Sequence, residues 1–419
     1  MEIKREYYLN RLISKMHSDQ VKIITGIRRC GKSYLLKTLF IKYLKKQGVK
    51  ANQIIIVDLD DNKNKKYRKD EALLIKDIES KAKNKRTQYY IILDEIQLVD
   101  DFVPLVNSLN KHPNYDIYIT GSNSKFLSSD INTEFKDRGF EIRIHPLSFK
   151  EYYDTYKGDK TFALNDYLRF GGMPNLINED NERDKIQYLD SLVRQVYLTD
   201  IVERHKVDKP EELDAIFDTL CSSVGSLINP TRIANTIRSE KHINIDNETI
   251  YKYISYFEDA FMFETVKRYN IKGNQYLTTP FKYYPEDVGL RNVRIKFRQQ
   301  DKGFGIENVV YNELRNRGYL VDVGYIETRE RNKEGKQVYK QREVDFIARF
   351  ASKEYYIQLA EKMSSKEKEE GEYASLRKIN NSFKKIMVID GNFYSYHNND
   401  GILVISLKDF LLIENSLDL

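Results

Sequence analysis

Cysteine is nearly missing from this chain of 419 residues: Cys30 and Cys221 stand far apart and make neither a disulfide framework nor a zinc knuckle. Such usage suits a reducing compartment. Long apolar runs are missing too, since none approaches the roughly 18 residues that a membrane-spanning helix needs. The opening residues, MEIKREYYLN, are charged where a secretory leader would be apolar. These absences lead to the expectation of a cytoplasmic protein with no membrane partner. Charge of one sign is also scarce: 69 Lys and Arg against 63 Asp and Glu leave a formal net charge of +6, so charge alone assigns no nucleic-acid partner. Internal repeats and low-complexity tails do not occur. What is there is a chain of 41% hydrophobic residues, long enough for a sizeable core and for roughly two to four domains.

Over the first 150 residues, the runs VKIIT, QIIIVDLD, YYIILDE, YDIYITGS and FEIRIHPLS alternate with helical patterns, which predicts a parallel sheet covered by helices. Between the first run and a helix whose apolar positions are Leu36, Leu39, Phe40, Tyr43 and Leu44 lies GIRRCGKS, a match to G-x-x-x-x-G-K-[ST]. Its residues Gly26, Ile27, Arg28, Arg29, Cys30, Gly31, Lys32 and Ser33, with Tyr34 following, are expected to cradle the phosphates of ATP or ADP. Backbone N–H groups can converge on a phosphate only if Gly26 and Gly31 take conformations that a side chain would forbid. Lys32 would bridge the β- and γ-phosphates, and the Ser33 hydroxyl would hold Mg²⁺.

The third run, YYIILDE, ends in Asp94 and Glu95. Strand ends carry the site in such sheets. Asp94 would hold the Mg²⁺ shell and Glu95 would act as general base on the attacking water. Past the next strand, Ser122 and Asn123 stand where a polar group can contact the γ-phosphate or the water.

With these motifs the chain resembles AAA+ ATPases, and within them the prokaryotic proteins related to STAND ATPases, whose loop reads G-x-R-R-x-G-K-[ST] and whose acidic strand reads L-D-E-I-Q. The resemblance implies that Asn123, or Ser122, is sensor 1, and that Arg138 is an arginine finger, with an ordinary surface arginine as the alternative. It implies a lid closed by YLRFGGMPNL, with Pro174 against the adenine; a helix-ending turn is the alternative there. Tyr8 would cover the base from the other side, unless it is a core tyrosine.

Residues 206–275 resemble a winged helix. Thr249, Tyr251 and Lys252 would lie where a DNA reader keeps its contacts, yet Ile250, Ile254 and Phe257 form a plain core stripe, and a structural role is favoured. The last third, opening with KYYPEDVGLRN, resembles the restriction-endonuclease-like fold: Glu307, Asp345 and Gln358 match its metal-collecting positions. Ala360 stands in place of the lysine, and Lys362 lies on the same strand face as a substitute. Without that lysine, a scaffold or at best a weak nuclease is expected.

The expected architecture is thus α/β: a P-loop AAA+ ATPase core with a parallel sheet over 1–155, a helical lid over 156–205, a winged helix over 206–275 and a restriction-endonuclease-like α/β domain over 276–419. The expected function is that of an ATP- and Mg²⁺-dependent ATPase switch that controls a partner, working as a homo-oligomer if Arg138 acts in trans. The alternative is a DNA-binding or DNA-processing protein whose ATPase gates a nuclease-like domain, meeting DNA through its winged helix or C-terminal domain.

Overall fold

The five apolar runs near the N-terminus become the strands β1 (Val21–Thr25), β2 (Ile54–Asp58), β3 (Tyr89–Asp94), β4 (Tyr115–Thr120) and β5 (Gly139–Arg143) of a computed structural model. It describes residues 2–122, 135, 138–298, 302–331, 337–361 and 366–419. The chain forms two units, Met1–Pro146 with Asp259–Phe261 and Leu147–Glu258 with Met262–Leu419.

In the first unit the strand order is β2-β3-β4-β1-β5, and every pairing is parallel. All residues of β1, β3 and β4 are buried, as expected for central strands covered by helices on both faces. Three of them are charged: Lys22, Asp94 and Asp116. Lys22, in the middle of β1, is ion-paired with Asp116 of β4, and both side chains are fully buried. The helix after the glycine loop begins at Lys32–Tyr34, widens into a π-helical stretch over Leu35–Phe40 and resumes at Ile41–Lys46. The wide turn changes the phase of the buried face: Leu35 joins Leu36, Leu39, Phe40 and Leu44 in the core, while the expected core residue Tyr43 is only half-buried.

In the second unit the helices Pro210–Ser222, Pro230–Lys241 and Asn247–Asp259 precede β6 (Phe263–Val266), β7 (Arg268–Asn270), β8 (Gln275–Tyr276) and β9 (Lys282–Pro285). The stripe Ile250, Ile254 and Phe257 is buried, and Tyr251 is exposed. Strands β6 and β9 pair antiparallel as a two-stranded sheet. The hairpin β7–β8 instead joins β10 (Leu320–Arg331), β11 (Gln337–Phe350), β12 (Lys353–Ala360), β13 (Lys384–Ile389), β14 (Tyr396–His397) and β15 (Leu403–Ser406) in a mixed eight-stranded sheet. The boundary expected at 275/276 therefore falls inside β8, on a hairpin that belongs to the C-terminal sheet.

A β-bulge sits in β11. Asp322 and Gly324 of β10 are two residues apart, but their partners Ile347 and Val344 are three apart, so β11 carries one extra residue at Asp345 or Phe346. This detail decides which side chains share a face.

Candidate nucleotide site

The glycine loop leaves the C-terminal end of β1. Gly26 has φ +136°, and a Cβ there would stand 2.1 Å from the Ile144 carbonyl oxygen, so no other residue fits. Gly31 has φ +106° with open space around it, and its need is conformational alone. Lys32 is buried, and its Nζ donates to the Gly26 and Ile27 carbonyls at 3.0 and 3.2 Å. An ammonium resting on neutral carbonyls gains from exchanging them for phosphate oxygens, because charge-assisted hydrogen bonds are the stronger ones. Ile27 and Cys30 are buried under the loop, Arg28 pairs with Asp60 at 3.7 Å, and the Tyr34 hydroxyl accepts from the Ile3 N–H at 3.2 Å.

Strand β3 brings Asp94 beside the loop. Its Oδ1 accepts from the Ser33 hydroxyl at 3.2 Å and from the Thr120 hydroxyl at 2.5 Å, and its Oδ2 takes the Lys37 ammonium at 2.5 Å. Lys37 also pairs with Asp58, the residue opposite Asp94 on β2. Burial works against a charged Lys37, yet its hydrogen bonds to Asp58 and Asp94 prevail and hold its pKa above the ordinary value. Glu95 stands at φ +55°, its N–H donating to Thr120 Oγ1 at 2.9 Å. Its carboxylate accepts from the Ser122 hydroxyl at 3.1 Å and from the Gln97 amide. Strand β4, lying between β1 and β3, thus supplies the hydroxyl that ties the two acidic residues together.

Sequence reasoning missed Lys37, Asp58, Thr120 and Gln97. The signals were a lysine one turn after Ser33 on the same helix face, and a carboxylate ending the run QIIIVD. The neighbouring hydroxyl of Ser33 and carboxylate of Asp94 are the hard oxygen donors that suit Mg²⁺, so the residues present fit that ion.

Asn123 lies outside the described residues. Tyr8 is 1% exposed, with its hydroxyl accepting from the His145 N–H at 3.3 Å and the Arg5 guanidinium over its ring. Arg138 is exposed, but its carbonyl accepts from the Val21 N–H at 2.7 Å, level with the start of β1. The loop leaves the other end of that five-residue strand, about 16 Å away at ~3.3 Å per residue, beyond the reach of an arginine side chain. Within one chain, Arg138 does not meet its own phosphate loop.

Pro174 starts a short helix in the second unit, Pro174–Asn178. The preceding glycines have a different neighbour there. A Cβ on Gly171, at φ +78°, would collide with Asp287 Oδ1 at 2.0 Å, and the Gly172 N–H donates to Asp287 Oδ2 at 2.6 Å. Asp287 also accepts from the N–H groups of Gly289 and Leu290, at 2.8 and 3.3 Å, capping the helix Val288–Arg294. Hence the GGMP and PEDVGL stretches meet each other: Gly171 is required by a buried carboxylate, and Gly172 by the Leu147 carbonyl, 2.2 Å from where its Cβ would stand.

The expected cation-collecting trio of the C-terminal sheet is divided between two faces, and this corrects the expectation. The bulge in β11 places Phe346 against Tyr284 and Tyr311 of the helix side, and Asp345 lies within electrostatic reach of Glu307. Gln358 instead accepts from the Ser375 hydroxyl at 3.2 Å and donates to Glu372 at 3.3 Å, both in the helix Lys366–Arg377. Ala360 packs with Tyr373 and Leu376 on that second side, and Lys362 lies outside the described residues.

A family model described as an AAA domain matches residues 18–153, and one described as a domain of unknown function, DUF8612, matches residues 161–301. An uncharacterized protein of Haemophilus influenzae is 35% identical over 415 residues, covering 98% of this chain and 98% of that protein. The uncharacterized protein MJ1544 of Methanocaldococcus jannaschii is 29% identical over 379 residues, covering 87% of this chain and 80% of its own. Among solved structures, Cdc6p from Pyrobaculum aerophilum is similar at a TM-score of 0.30 and 13% identity, over 70% of this chain and 93% of that one. AMPPCP-bound DnaA from Aquifex aeolicus is similar at 0.31 and 16%, over 62% and 89%. At such scores no property passes from those structures to this chain. The parallel sheet, the phosphate loop and the full-length relative agree: the chain belongs to the family of the Haemophilus influenzae protein and carries an AAA domain of the P-loop ATPase type.

Proposed function

We propose that the protein is a Mg²⁺-dependent ATPase that works as a nucleotide-operated switch, in which ATP binding and hydrolysis rearrange its helical lid, winged helix and restriction-endonuclease-like C-terminal domain to control a partner. The observation that carries this reading is the joining of loop and acidic strand, where Ser33 and Thr120 both donate to Asp94 and Thr120 also receives the Glu95 N–H. Lys32 leaves the Gly26 and Ile27 carbonyls to bind the β- and γ-phosphates. Ser33 and Asp94 would hold Mg²⁺, which would offset the negative charge of the phosphate oxygens. Glu95, oriented by Ser122, takes the proton of the attacking water. Asn123 senses the γ-phosphate, Tyr8 and Pro174 flank the base, and Arg138 completes the site of a neighbouring chain.

Glu95→Gln tests the hydrolytic part. The amide keeps the shape but accepts no proton, so ATP binding is expected to persist while turnover falls by roughly 10²- to 10⁴-fold. Nucleotide binding and single-turnover hydrolysis measured side by side check this. Wild-type turnover in the variant would remove Glu95 from the role of base.

A further inference from the structure

The second unit gathers acidic side chains on one side of its large sheet: Glu307 from the helix Lys302–Asn316, and Glu343 and Asp345 from β11. Carboxylates gathered this way repel one another unless a cation neutralises them. Asp345 records the conflict. Burial first, and then the Glu307 charge, push its carboxyl well above the usual range, while Lys282 and the Leu359 N–H, donating at 2.7 Å, act against that rise.

The cation belongs to the chain itself. Lys282, the first residue of β9, is 2% exposed, and its Nζ donates to Glu307 at 2.8 Å and pairs with Glu343 at 2.6 Å. Tyr284, two residues on and so on the same side of the strand, donates its hydroxyl to the same Glu307 oxygen at 2.5 Å. The other Glu307 oxygen lies beside Gly225, where an added Cβ would stand 2.9 Å from it. Burial opposes a charged lysine here, but the charges of Glu307, Glu343 and Asp345 outweigh it and hold the Lys282 pKa above its ordinary value. A fourth donor from β12 is not turned this way, because Gln358 is held on the other side by Ser375 and Glu372.

We propose that the Lys282 ammonium occupies the place a divalent cation would take among Glu307, Glu343 and Asp345, so that the cluster fastens β9 to the helix Lys302–Asn316 and to β11 and takes no metal ion. A metal-dependent nuclease needs its ion to polarise water and to offset charge on the scissile phosphate. An ammonium with its protons committed to two carboxylates does neither. The acidic residues that make the C-terminal unit look hydrolytic are therefore structural. This inference is independent of the ATPase reading, since it concerns other residues and needs no nucleotide.

Free Mn²⁺, measured by electron paramagnetic resonance on nucleotide-free full-length protein, tests it. Wild type and Glu307→Gln are expected to bind the same number of ions. Lys282→Met is expected to gain one bound Mn²⁺ per chain, and that gain is lost again in Lys282→Met/Glu307→Gln. A Mn²⁺ bound by wild type and lost in Glu307→Gln overturns the proposal, and so does a folded Lys282→Met variant that binds no more than wild type. Should Lys282→Met fail to fold, the comparison of wild type with Glu307→Gln decides alone.

Discussion

At the scale of residues, the pair Asp58 and Asp94 shows how a single lysine tunes a cation site. Lys37 bridges both carboxylates, and its own pKa is held up by them. A divalent ion arriving at Ser33 and Asp94 meets this positive charge nearby. Two unit charges about 4 Å apart interact by about 1 kcal/mol even in a water-like dielectric, which corresponds to roughly fivefold in an equilibrium constant. Lys37→Met is therefore expected to lower by at least roughly fivefold the Mg²⁺ concentration that half-saturates ATP binding, because the ion carries two charges and both carboxylates are left without their ammonium. Asp58→Asn, which removes a negative charge from the same group, is expected to raise it. A Mg²⁺ titration of bound fluorescent ATP analogue in the two variants checks the opposite signs; shifts in one common direction would show that the bridge acts through structure and not through charge.

At the scale of elements, the contact between the Gly171–Gly172 turn and the helix Val288–Arg294 depends on one carboxylate. Burial pushes Asp287 up to about 6, even though the N–H groups of Gly172, Gly289 and Leu290 favour its charged form. In the unfolded chain the group titrates near its ordinary value of about 3.9. Between those two values the folded state holds more protons, so the contribution of Asp287 to stability grows as pH falls through about 6 and is lost as pH rises through it. Relative to Asp287→Asn, which keeps a side-chain cap without a titrating group, wild type is expected to gain about 1 kcal/mol between about pH 7 and about pH 5. Urea unfolding of both proteins at the two pH values measures it, and parallel changes would refute it. The same elements show what could be read from sequence. The phosphate loop and the acidic strand were legible because each is a contiguous pattern whose chemistry needs its own neighbours. Thr120 was not, since its link to Asp94 and Glu95 depends on β4 lying between β1 and β3. Asp287 was not, since its partner Gly172 is 115 residues away. Gln358 was grouped with Asp345 by the resemblance to the restriction-endonuclease-like fold, and a pattern match does not register the one extra residue that β11 carries.

At the scale of the whole molecule, the place of Arg138 bears on how many chains make one working site. Its backbone pairs at the start of β1, on the edge strand side of the sheet, while its own phosphate loop leaves the far end of the same strand. An arginine is suited to charge developing on a transferred phosphoryl group because its planar fork can meet two oxygens at once. Placed where it is, Arg138 can give that help only to another chain. Two variants then become complementary: Lys32→Ala loses its own phosphate site but still offers Arg138, and Arg138→Ala keeps its phosphate site but offers no arginine. Each is expected to be nearly inactive alone, and mixing them is expected to restore ATPase activity, because a mixed assembly contains one complete site. Wild-type activity per chain should also rise with protein concentration over the range in which the mass measured by light scattering rises. Mixtures no more active than their parts, together with concentration-independent turnover by a monomer, would return Arg138 to the ordinary surface arginines and leave each chain to hydrolyse ATP alone.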